Sequence, residues 1–157
     1  MRRQHATLVA AAIIATLLAA GCGDDDDDDG DGGGEGAGGE TVDVVLSEFI
    51  VQPDADSAAA GEVTFALDNQ GGEVHEFVVV SANDLPLDDD GAFDEEAYGE
   101  DNVLGEVEDI ASGDQAELTL DLEAGDYVLL CNIVEEEDDG EVESHYAEGM
   151  HTEFTVE

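Results

Sequence analysis

Four side chains could do chemistry together: His75, Cys131, His145 and Met150. They offer two imidazoles, a thiolate and a thioether, a soft and mixed donor set that suits copper. A thiolate and two imidazoles make a trigonal plane, and a weak axial thioether completes the arrangement of an electron-transfer copper site. Scarcity strengthens the reading. Beyond the first 21 residues the chain has three His (75, 145, 151), one Met (150) and two Cys (22, 131), so nearly every soft ligand lies in or beside this constellation. Taken singly, each has a plainer reading. A buried Cys is often just a small hydrophobe, and a lone inward His is more often a hydrogen-bonded core residue. It is the combination of a Cys at a strand end with a downstream His-x4-Met that points to a metal.

The elements that must position these groups read as strands. Val42, Val44 and Leu46 alternate, and Phe49 and Val51 continue out of phase, so a bulge or bend is expected near Ser47-Glu48. Val63, Phe65 and Leu67 form a second run, closed by a turn over 69–72. In a third, His75 shares a face with Phe77 and Val79 and points toward the core. Residues 81–102 form a long acidic connection, read as solvated, with one helical turn around Asp94 to Tyr98. Val103 to Ile110 gives a short irregular strand, and Ala116, Leu118, Leu120 and Leu122 alternate cleanly in the next. Tyr127, Leu129 and Cys131 share one face, so the thiol emerges inward at the end of a core strand. Met150, Phe154 and Val156 share parity in the last strand, which excludes His151 as a ligand. Short strands, turns and no useful amphipathic helix predict a single all-β domain, a β-sandwich. With one cysteine after Cys22, no disulfide can form within it.

Three segments resemble the cupredoxin family, the small blue copper proteins that include plastocyanin, pseudoazurin and the halocyanins. They are Gly72-Glu73-Val74-His75-Glu76-Phe77, the run from Leu122 through Tyr127 to Cys131-Asn132, and His145-Tyr-Ala-Glu-Gly-Met150. The resemblance covers roughly residues 41–157. It implies a Greek-key sandwich, one type 1 copper per chain on His75, Cys131, His145 and Met150, and transfer of single electrons rather than enzymatic turnover. It also implies that Tyr127 makes a tyrosine corner. His145 would be the ligand nearest the surface, passing electrons through its exposed edge within a patch of Tyr146, Ala147 and Gly149. The chain departs from the family in having 13 residues between Cys131 and His145 where only a few are usual. Residues 135–144, EEEDDGEVES, read as an acidic insertion, a projecting hairpin turning at Asp139-Gly140. Loose Ca²⁺ binding there ranks below a solvated ribbon. Two other functions stay open: copper binding or delivery on the same fold, and a metal-free sandwich acting as an interaction module.

The rest of the chain concerns location. Arg2 and Arg3 precede an apolar run, Ala6 to Ala20, so residues 1–21 read as a secretory signal rather than a spanning helix. Leu18-Ala-Ala-Gly-Cys22 looks like a lipobox, which would lipidate Cys22; ordinary cleavage nearby would leave it a free thiol. Residues 22–40, rich in Gly, Asp and Glu, would be a flexible tether, and residues 41–157 the copper-binding domain. The expected location is therefore the extracytoplasmic face of the cell membrane. Lipid would be the only membrane contact, the chain a monomer, and its partners redox proteins of an extracytoplasmic electron-transport chain. Both arginines precede Cys22 and all 44 acidic residues follow it, so the processed chain carries about −44. Nucleic-acid binding, which needs basic groups on phosphate, is excluded. Such a charge repels itself unless salt screens it, which points to a salt-adapted host.

Overall fold

A computed structural model of the chain describes residues 39–99, 102–136 and 140–157. The signal, Cys22 and nearly all of the tether lie outside them, as does Asp139 of the expected hairpin turn. Eleven strands and one helical turn are described: β1 (Glu40–Ser47), β2 (Ile50–Pro53), β3 (Ser57–Ala58), β4 (Gly61–Asn69), β5 (His75–Ser81), α1 (Glu95–Tyr98), β6 (Val103–Ile110), β7 (Gln115–Leu122), β8 (Gly125–Leu130), β9 (Val134–Glu136), β10 (Val142–Ser144) and β11 (His151–Val156). They form a four-stranded sheet ordered β2-β1-β4-β7, a five-stranded sheet ordered β3-β11-β8-β5-β6, and a small β9-β10 ribbon.

The alternation seen in the sequence decides what lies between the two large sheets. Val42, Val44, Leu46, Val63, Phe65 and Leu67 from one sheet meet Phe77, Val79, Leu129, Phe154 and Val156 from the other, all buried. Phe65 centres this layer, its ring 5.3 Å from Phe77 and 5.5 Å from Phe154. Burial of each such side chain stabilises the sandwich by roughly 1.5–3 kcal/mol. The Tyr127 hydroxyl donates to the Glu123 carbonyl at 2.7 Å, closing the expected corner.

Two elements differ from expectation. The phase change after Leu46 is a reversal and not a bulge: β1 and β2 pair antiparallel, with Ser47 opposite Ile50 and Leu46 opposite Val51, so Glu48-Phe49 is a two-residue turn. Both inward sets are thereby kept on one face. The long acidic connection is docked over residues 81–99 and not merely solvated. Phe93 is buried with Val78, Val80, Val128 and Leu130, against partly buried Leu85 and Tyr98, which covers the outer face of β5 and β8. The expected helical turn is α1, where Asp94 Oδ1 accepts from the Ala97 amide. The Tyr98 hydroxyl donates to the Ser81 carbonyl, pinning this turn back onto the end of β5.

Candidate metal centre

All four predicted side chains sit at strand termini at one end of the sandwich, where the backbone leaves the ladder and side chains can converge. His75 opens β5, Cys131 follows β8, His145 follows β10 and Met150 precedes β11. Backbone bonds tie these ends together. The Cys131 amide donates to the Met150 carbonyl (3.0 Å), the Met150 amide to the His145 carbonyl (2.9 Å), and the His145 amide to the Ile133 carbonyl (2.9 Å). Gly149, between the last two ligand candidates, has φ +106°, a conformation that disfavours any residue with a Cβ. The closing loop depends on it.

His75, Cys131, His145 and Met150 are all fully buried. The Nδ1 atoms of His75 and His145 lie 3.3 Å apart, and Cys131 Sγ lies 3.4 Å from His145 Nδ1 and 4.0 Å from His75 Nδ1. An ion bound at ~2.0–2.1 Å to imidazole and ~2.3 Å to thiolate reaches all three atoms at once. The donor set therefore fits a soft transition metal, with Met150 buried in the same core cluster as Cys131. Burial pushes the Cys131 thiol up to about 11. The metal-free site thus holds a thiol, and metal binding must release its proton. Burial, followed by the neighbouring His145, holds the His75 imidazole below its ordinary value, so it is neutral and able to ligate.

Several residues around this cluster are not evident from the sequence. The Glu76 amide donates to Cys131 Sγ at 3.5 Å, and Glu76 Oε1 accepts from the amide of Asn132 at 2.9 Å. Glu76 thus joins the strand that opens on His75 to the end of the one that leads into Cys131. Asn132 in turn exchanges bonds with Phe93, its Oδ1 accepting from the Phe93 amide (2.8 Å) and its Nδ2 donating to the Phe93 carbonyl (2.9 Å). The docked segment 81–99 therefore braces the residue that follows Cys131.

His145 departs from the expectation of an exposed edge. Phe49, in the β1–β2 turn, stands edge-on to its ring at 5.2 Å, and carboxylate oxygens of Glu73 and Glu135 gather near it. Glu135 belongs to the β9–β10 ribbon, whose pairing of Glu136 with Val142 and Val134 with Ser144 bears out a hairpin. The insertion thus helps to cover the ring. His151 is exposed and stacks on Tyr146 at 4.5 Å, outside the cluster as its parity requires.

No family model matches the chain, and no curated protein matches its sequence. Its fold does match solved structures. Dithionite-reduced auracyanin from Roseiflexus castenholzii aligns at 19% identity with a TM-score of 0.52, covering 76% of this chain and 99% of that one. Auracyanin B aligns at 21% with 0.51, covering 75% and 88%. Auracyanin A, described as a "blue" copper protein from Chloroflexus aurantiacus, aligns at 17% with 0.51, covering 76% and 100%. The chain therefore has the cupredoxin fold, and its His75, Cys131, His145 and Met150 resemble a type 1 copper site.

Proposed function

We propose that this chain is a type 1 copper protein that carries single electrons between redox partners outside the cytoplasmic membrane, tethered there by lipid on Cys22. The observation that carries the reading is the convergence of two Nδ1 atoms and one Sγ within 4.0 Å, fully buried, at the end of a cupredoxin-fold sandwich. When bound, copper would supply a one-electron couple, with His75, Cys131 and His145 as its strong donors and Met150 as a weak one. The chain's own contribution is rigidity. Each donor is fixed to a strand end by a backbone bond or by core packing, so little rearrangement accompanies a change of oxidation state. Burial keeps water off the thiolate. With His145 covered, an electron would pass through what stands on it, Phe49 or the β9–β10 ribbon, and not through a bare imidazole edge.

The test is titration of the full chain with Cu(II) in high salt. An intense visible thiolate-to-copper absorption saturating at one copper per chain, with a reversible potential, is expected. Weak or multiple binding without that band rejects the reading and leaves copper handling or a metal-free interaction role.

A further inference from the structure

With Nδ1 of both imidazoles turned inward, each Nε2 is turned outward, and each is buried with no hydrogen-bond partner. A neutral imidazole that gives Nδ1 to a metal must carry its proton on Nε2, so both rings present a buried donor. Each donor faces a carboxylate. His75 Nε2 lies 3.7 Å from Glu48 Oε1, and His145 Nε2 lies 3.8 Å from Glu73 Oε2. Both gaps are a little beyond hydrogen-bond length, and a small rotation of ring or carboxylate closes them.

Glu48 is not there by chance of a mobile surface chain. Its Oε1 already accepts from the amides of Gly72 (2.5 Å) and Glu73 (2.9 Å). A Cβ at position 71 would stand 2.6 Å from that oxygen and 2.9 Å from His75 Nε2, so the approach exists only because residue 71 is glycine. The turn is itself anchored by Asn69, whose Nδ2 donates to the carbonyls of Glu73 and Ile110 while its Oδ1 accepts from Gly71. One short turn thus presents Glu48 to one imidazole and Glu73 to the other.

We propose that Glu48 and Glu73 are positioning residues, each accepting the Nε2 proton of one imidazole ligand. They fix which nitrogen meets the metal, hold the ring plane, and make each imidazole a stronger donor, as outer carboxylates do at other metal sites. Glu73 and Glu135 could alternatively join His145 in holding a second cation, since one ligand atom from each of the three lies within 4.8 Å of the others. That would require Nε2 to lose its proton while Nδ1 is already committed, so the hydrogen bond is the better use of the same geometry.

This inference rests on the copper reading, and the experiment separates the two. Full-length chain, ¹⁵N-labelled and loaded with Cu(I), would be compared by NMR and voltammetry with Glu48→Gln, Glu73→Gln and, as a control at the far end of the sandwich, Asp121→Asn. Two slowly exchanging Nε2–H resonances are expected in the parent. Glu48→Gln should move that of His75 and Glu73→Gln that of His145, each with a rise in potential larger than the control gives. Glu48→Ala, which leaves Nε2–H without an acceptor, should weaken copper binding about 10–100-fold. Unchanged resonances and control-sized potential shifts in copper-binding variants overturn the proposal and leave the copper reading standing. Uptake of a second equivalent, Zn²⁺ added to the copper-loaded chain with loss of the His145 Nε2–H signal, also overturns it. Failure of the parent chain to bind copper overturns both.

Discussion

Met150 differs from the other three ligand candidates in what its removal would do. It is fully buried, held through its backbone to Cys131 and His145, and uncharged. Met150→Leu preserves volume and apolarity, so it should cost less than about 1.5 kcal/mol of stability and leave the His75, Cys131 and His145 donors in place. Loss of a weak donor that favours Cu(II) should raise the potential. Cyclic voltammetry of the two copper-loaded chains checks this, and an unchanged potential would mean that the thioether is not a donor to the metal. At this scale the sequence was most legible where residue types are rare: three His, one Met and two Cys follow the leader, and four of these six converge. Glu48, Glu73 and Glu76 were not legible. Among 44 acidic residues nothing marks these three, because their distinction lies in the backbone amides and imidazoles they meet across the fold.

Among the elements, the β9–β10 ribbon has the least visible reason to exist. It pairs over three residues on each side, and Val134 and Val142 are exposed, so it adds little to the core. Its physical effect is to bring Glu135 against His145. Deleting residues 135–144 joins Val134 directly to His145 and should leave copper binding within about tenfold, since none of the four donors is removed. The electron self-exchange rate should rise as the ring edge is uncovered. NMR line-broadening in mixed oxidation states measures that rate, and loss of copper on deletion would show instead that the ribbon builds the site. The ribbon could be read from the Asp-Gly signal between short β-prone runs. The docking of 81–99 could not, because Phe93 and Tyr98 sit in an acidic stretch without period, and only β5 and β8, assembled from distant sequence, create the apolar face they cover. The β1–β2 reversal was misjudged for a related reason: a phase slip of the alternation fits both a bulge and a two-residue turn, and the partner strand decides between them.

For the whole molecule, charge sets how stability responds to pH and salt. Two contributions run in the same direction. The general one is repulsion among the carboxylates, which grows as they ionise and shrinks as the Debye length falls from ~10 Å at 0.1 M to ~3 Å at 1 M salt. The local one is Glu76. Burial, reinforced by the charges of Glu95, Glu106 and Glu108 and opposed by the Asn132 amide, raises its carboxyl from the ordinary 4.5 to about 7. Between those values the folded metal-free chain keeps a proton that the unfolded chain has lost. Stability is therefore fully present below 4.5 and declines as pH rises through 7. Salt distinguishes the two, because it screens exposed charges far more than a half-buried carboxyl. At ~1 M salt the metal-free chain should still lose stability between pH 4.5 and 7, while Glu76→Gln, which can still accept from Asn132 through its amide oxygen, should flatten that remaining slope. Urea unfolding of both chains across this range measures it. Parallel slopes would place the pH response in the surface charge as a whole, and a slope lost in the variant alone would place it at the residue that links the two ligand strands.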